Sequence, residues 1–347
     1  MLRVERLGSK VDTYVMKLSR FYNVFKKTLD INRRSRAAFE EDAHLCESCG
    51  FRSTLSDLTP LTIVPCPKCG FAGLIPYRLN NYLLFEPLGA GGVSSVYKAV
   101  QRELNGAFYA VKILRDDRAI DETVRQEFLF EAGVHHDVSP HPSIVRFIES
   151  GHFNEDFYHV MDFVPGDSVK RRVESSGRIP EAIALTWLRE TAAALRHIQT
   201  KGYLYRDISP GNLLIRSDQS VCLIDFGLVL SIEDADQPGT PIVGTPEYLP
   251  PERIQQLGED ERSSVYSLGM LLYFMLKGEP LIKAESHERA ALQHVSAVRV
   301  AFSARMLPPD ISPNVVTLVG SMIKYDPVDR PQTLEAVENT IAAMLPK

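Results

Sequence analysis

The sequence predicts an α+β protein in which a helical segment and a small metal-binding module precede a large domain that opens in strands. Three observations carry this. Apolar residues at Val4, Leu7, Val11, Tyr14, Leu18, Phe21 and Phe25 fall in steps of three and four, one stripe of a helix. Four of the five cysteines stand in two C-x-x-C pairs, and from Tyr82 the run "YLLFEPLGAGGVSSVYKAV" reads as strand, glycine-rich turn and strand.

The helical segment, residues 1–43, is basic. Residues 1–40 hold ten Lys/Arg against four Asp/Glu, a balance of +6 in a chain of net charge −5, which leaves −11 on the remainder. Such an arm suits nucleic acid, an anionic surface or the acidic body of the protein itself. The stripe docks on the rest of the chain or, if exposed, favours self-association.

In residues 44–75, Cys46 and Cys49 are followed after 16 residues by Cys66 and Cys69, and each pair ends in glycine. Four thiolates so spaced suit a tetrahedral structural Zn2+, and the stretch between them is long enough for a strand hairpin. This resembles a zinc ribbon. It is too small to fold without metal. Arg52 is the one basic residue between the pairs, which favours a structural or protein-docking role over nucleic-acid contact. Cys222, in the apolar run "VCLIDF", reads as core.

With 44% hydrophobic and 24% charged residues the composition is that of an ordinary globular protein. No window of 18 apolar residues suggests a membrane span, and the N-terminus lacks a signal-peptide core, so a cytoplasmic location is expected.

In the large domain, residues 80–345, Gly89, Gly91 and Gly92 let the backbone approach phosphates. "FYAVKIL" then places Lys112 in an apolar strand, where a cation needs an anionic partner, and Glu131 follows 19 residues later in a helical pattern. Further on come "YLYRDISPGNLLI", "DFG", "GTPEYLPPE", "SVYSLG" and "DPVDRP". In this order the motifs resemble the eukaryotic-like protein kinases, most of all the bacterial serine/threonine kinases.

The resemblance implies a bilobal fold, with a small β-rich lobe and a mostly helical one, and an enzyme that uses ATP with Mg2+ or Mn2+ to phosphorylate Ser/Thr of proteins. Lys112, paired with Glu131, would hold the α- and β-phosphates. Asp207 would orient the substrate hydroxyl, and Asn212 and Asp225 would bind the metal. Gly89, Ala90, Gly91 and Gly92 would cover the phosphates. Adenine would lie between Val96 and Ala110 above and Leu214 below, with Met161 at the back and the backbone of Asp162 and Val164 on its edge. Arg206 would meet a phosphate on the activation segment, Thr240 being the best acceptor there, and Thr245 would bond near Asp207. Glu252 would pair with Arg330.

The chain departs from the pattern at Ser94, Tyr205, Ser209 and Ser264, which stand for a glycine, a histidine, a lysine and an aspartate. A tyrosine at 205 needs a partner for its hydroxyl. Ser209 and Ser264 are the support for the alternative, a pseudokinase adaptor acting through the ribbon and N-terminal helix. The five intact groups favour the enzyme. The protein substrate is not legible.

Overall fold

The computed structural model describes residues 30–91, 93–103, 106–114, 121–283, 286–295 and 302–345. The stripe from Val4 to Phe25 and Gly92 lie outside them. Two compact units emerge, the described parts of residues 1–120 with Ser150–Phe163, and Asp121–Glu149 with 164–347.

The first unit opens with helix α1, residues 30–40, and two short hairpins, β1 (Ala43–Leu45) with β2 (Arg52–Thr54) and β3 (Ile63–Pro65) with β4 (Ala72–Leu74). The expected hairpin within the Cys49–Cys66 stretch is replaced by these two. Each C-x-x-C makes the turn of its own hairpin, so β2 and β3 pair outward rather than with each other. The turns are built alike: Gly50 N–H donates to Cys46 O at 2.9 Å and Gly70 N–H to Cys66 O at 2.8 Å. Both glycines have φ near +70° (+68° and +73°), where a side chain would be strained.

A six-stranded sheet follows, β5 (Tyr77–Leu79), β6 (Tyr82–Ala90), β7 (Ser95–Gln101), β8 (Phe108–Leu114), β10 (Asp156–Asp162) and β9 (Phe147–Phe153), in that spatial order. The hairpins and α1 are not tethered beside this sheet. Ala38 of α1 and Leu55 and Ile75 of the cysteine module form one buried cluster with Leu83 of β6 and Val100 of β7; Phe39, Leu58, Val64, Phe85 and Phe108 pack around it. Burying these chains drives the association at about 25 cal/mol per Å² of apolar surface. Arg78 adds a 2.7 Å ion pair to Asp42 and a 3.2 Å hydrogen bond to the carbonyl of Ala38.

The second unit is mostly helical: α2 (Glu122–Val138), α3 (Val169–Ser176), α4 (Glu181–Thr200), α5 (Ile232–Ala235), α6 (Pro251–Ile254), α7 (Glu261–Lys277), α8 (His287–Val295), α9 (Pro313–Met322) and α10 (Leu334–Met344). Asp121, Ser168, Asp260 and Thr333 cap α2, α3, α7 and α10 by accepting from first-turn amides. Helix α7 is buried on all sides from Ser263 to Leu276, as its nearly continuous apolar run requires. At Gly269 a Cβ would come within 2.7 Å of Met322 Cβ and 2.6 Å of Ile323 Cγ2, so α7 and the end of α9 meet where no side chain intervenes. Arg330 donates to both oxygens of Glu252 at 2.7 and 2.9 Å, a buried bidentate pair that fixes α6 to the C-terminal helices.

His294 on α8 is buried between Tyr266 Oη, 2.8 Å from Nδ1, and the carbonyl of Pro246, 2.9 Å from Nε2. Burial pulls its pKa down to about 4, against the smaller pull of the Pro246 bond. The neutral ring must then donate from Nε2 and accept at Nδ1. The unfolded chain takes up this proton near pH 6.5 and the folded one only near 4, so stability is intact above about 6.5 and is lost progressively as pH falls toward 4. We expect a loss of about 3 kcal/mol over that window. Denaturant melts of wild type and His294→Asn at pH 7 and pH 5 test it; an equal pH dependence in both would refute the assignment.

Candidate active site

In the first unit, strand register lines the predicted nucleotide residues along one face of the sheet. Val96 sits opposite Lys112, Gly89 opposite Val96, and Met161 opposite Ala110. Directly paired residues point to the same side, and so do residues two apart on one strand, so Val96, Ala110, Lys112 and Met161 share a face. Ala110, Lys112 and Met161 are each 8% exposed. Further along that face, Lys98 lies over the rings of Phe108 and Phe163, 4.4 and 4.3 Å from their centroids, and beyond it Val100 enters the core shared with the cysteine module. The turn preceding β7 is closed by Gly91 N–H donating to Ser94 O at 2.8 Å, so serine is accommodated at that position.

In the second unit, Glu131, Asp207, Asn212 and Asp225 gather about one buried side chain, Tyr205. Its hydroxyl donates to the carbonyl of Ile224 at 2.7 Å, immediately before Asp225, and its ring meets Phe226 edge-on at 5.6 Å. Burial first, then the charges of Asp207, Asp225 and Glu131, raise its pKa well above the ordinary tyrosine value. The phenol is therefore a fixed neutral donor in an acidic neighbourhood, which is the partner the sequence required for it. Phe226 also stacks on His135 at 4.7 Å, one helical turn after Glu131 on α2, which couples the helix to the "DFG" turn. Asp225 adopts φ +64° and accepts from Gly227 N–H at 3.2 Å.

Asp207 is held on both oxygens. Thr245 donates to Oδ1 through its N–H at 2.9 Å and its Oγ1 at 2.8 Å, while Asn212 Nδ2 donates to Oδ2 at 2.7 Å and to the Asp207 carbonyl at 3.0 Å. With its amide N–H groups so used, Asn212 offers the oxygen, Oδ1, to a cation. An amide oxygen and a carboxylate are the hard donors a divalent Mg2+ takes. Leu214 lies on β11 (Leu213–Ile215), paired with Cys222 of β12 (Val221–Leu223).

Sequence reading missed Glu259. The expectation that Arg206 awaits a phosphate is not met in this conformation: its guanidinium is buried against Glu259, donating from Nε at 2.9 Å, with Nη2 2.8 Å away and also donating to Pro241 O. Glu259 stands in "LGEDER", a charge run that looks solvated. The signal that could have found it is that Asp260 and Glu261 already cap and charge the start of α7, leaving Glu259 without a local task.

The cysteine cluster is a second site. The four sulfurs lie within 4.8 Å of one another, with Cys46–Cys69 at 3.7 Å and Cys49–Cys66 at 3.8 Å. A tetrahedron with Zn–S bonds of about 2.3 Å has its sulfurs about 3.8 Å apart, so the donor set fits zinc.

Residues 82–341 match the family model described as the protein kinase domain, and the chain belongs to that family. The strand-rich first unit and helical second unit are its two lobes. Among similar proteins, serine/threonine-protein kinase PknB of Mycobacterium leprae is 32% identical over 264 residues, 74% of this chain and 42% of that protein. PknB of Mycolicibacterium smegmatis is 33% identical over 266 residues, with the same coverage of 74% and 42%. A Clostridium perfringens protein named "probable serine/threonine-protein kinase" is 30% identical over 259 residues, 74% and 37% of the two chains. The chain thus spans about two-fifths of the length of these relatives.

Proposed function

We propose that the chain is an ATP-dependent protein kinase that transfers the γ-phosphoryl group to Ser and Thr hydroxyls of proteins, its own included. The observation that carries this is the double hold on Asp207. A carboxylate fixed by Asn212 on one side and Thr245 on the other is oriented to take a hydroxyl proton, and phosphoryl transfer asks little more of a protein than position and charge. The likeness to proteins named as serine/threonine kinases supports the same acceptor class.

Lys112 would neutralise the α- and β-phosphates, with Glu131 to orient it. Asn212 and Asp225 would hold the Mg2+ that screens the phosphate oxygens. The loop at Gly89, Ala90, Gly91 and Gly92 would lie over the phosphates, and adenine would rest between Val96, Ala110 and Leu214, near Met161 and the backbone of Asp162 and Val164. Cys46, Cys49, Cys66 and Cys69 would hold a structural Zn2+. Substrates are proteins not yet identified, and the N-terminal segment is a candidate for self-association. Among the described residues no helix is long and apolar enough to cross a membrane; we assign the chain to the cytoplasm.

The test is phosphate incorporation from Mg-ATP, read by intact mass and site mapping beside an Asp225→Ala control. Transfer lost in the control supports the enzyme. Nucleotide binding without transfer to itself or to generic acceptors transfers the weight to the adaptor reading, for which Ser209, buried where the family carries a lysine, is the specific support.

A further inference from the structure

We propose that Glu259 is the positioning residue that sets the catalytic loop and the substrate-docking segment, a permanent internal anion doing what a phosphate on the activation segment would otherwise do. The inference rests on the kinase reading above. The Glu259 side chain is fully buried, and those of Arg206 and Arg253 are 2% and 3% exposed. One carboxylate oxygen takes Arg206; the other takes Arg253, at 2.8 Å from Nε and 2.6 Å from Nη2. The two guanidinium groups thus share a single carboxylate, one on each oxygen, through charge-assisted hydrogen bonds.

What the two arginines do with their other N–H groups gives the cluster its reach. Arg206 donates to Pro241 O at 3.1 Å. Arg253, on α6, donates to Arg206 O at 2.5 Å and Val243 O at 3.2 Å. Glu259 therefore ties the residue before Asp207 to residues 241–243 and to α6, and two residues past Val243 stands Thr245, which bonds Asp207 itself. Burial, and then the neighbouring Arg253 charge, lower the Arg206 pKa, while Glu259 opposes both. Without the carboxylate two buried like charges would face each other.

The same geometry speaks against a phosphate here. A phosphate entering the forks must displace Glu259 and leave a buried carboxylate unpaired, which is strongly unfavourable. Thr240, the acceptor the sequence favours, has its Oγ1 buried and without a hydrogen-bond partner, so it is not presented to a modifying enzyme in this conformation. The segment is ordered by residues already in the chain.

The full-length protein, treated with phosphatase until intact mass shows no phosphate, provides the test. Hydrogen exchange across residues 239–247 reports the segment whether or not the chain transfers phosphate, and the initial rate on casein with Mg-ATP reports catalysis. We expect phosphate-free wild type and Thr240→Val to be equally protected and to start at full rate without a lag. Glu259→Gln should lose that protection and show about 10²-fold lower kcat with little change in KM for ATP, since a displaced catalytic group costs rate rather than nucleotide binding. Phosphate-free wild type that exchanges as fast as Glu259→Gln, or that gains rate only as Thr240 becomes phosphorylated, overturns the proposal. If Glu259→Gln does not fold, the wild-type and Thr240→Val arms decide alone. A protected segment with no transfer by any form refutes the kinase reading and leaves the clamp standing.

Discussion

Replacing Asp207 with asparagine lowers kcat for phosphoryl transfer by about 10³-fold, the range a positioned general base supplies. Geometry makes the substitution more severe than a simple loss of charge. Both oxygens of Asp207 face donors, Thr245 N–H and Oγ1 on one side and Asn212 Nδ2 on the other. An amide can turn its oxygen toward only one of them, so its NH2 must confront a donor whichever way it flips, leaving polar groups poorly paired at about 1–3 kcal/mol. The loop should shift as well as lose its proton acceptor. Single-turnover transfer beside nucleotide affinity separates the effects: affinity should hold while transfer collapses. Transfer within about tenfold of wild type would remove Asp207 from the general-base role.

Replacing Cys66 with serine, or stripping zinc with a chelator, unfolds more than the ribbon. Structural zinc contributes about 10 kcal/mol or more to modules of this size. Here the module's Leu55 and Ile75 share a core with Leu83 and Val100 of the sheet, and Val100 is on the same strand and face as Val96. Loss of metal should therefore lower the melting temperature of the whole first unit and weaken ATP binding together. Native mass spectrometry for bound zinc, thermal melts and ATP titration of Cys66→Ser check this. A variant that has lost its zinc but melts and binds ATP as wild type does would show the ribbon to be a passive appendage.

Much of this was legible in the sequence where the chemistry is local. The four-cysteine cluster needed only two cysteines and a glycine within five residues, twice over. The family was legible through the order of the motifs, and the family model matches over the same stretch. What escaped depends on contacts between distant segments. Ala38, Leu55, Ile75 and Leu83 are ordinary apolar residues until the fold brings them together. The partner of the Tyr205 hydroxyl proved to be a backbone carbonyl, Ile224 O, which no residue identity announces. Glu259 was hidden for the opposite reason, since charges in a run are read as solvated and this one is buried.

The shared core also decides where the polypeptide may be cut. The family match begins at residue 82, and a shortened version started there would seem complete. It would lack β5, the edge strand paired with β6, and Ala38, Leu55 and Ile75, the buried side chains that complete the core with Leu83 and Val100. The exposed sheet margin and apolar patch together invite edge-to-edge association, so such a fragment is expected to come out of expression as aggregate, and one begun at residue 30 to remain in solution.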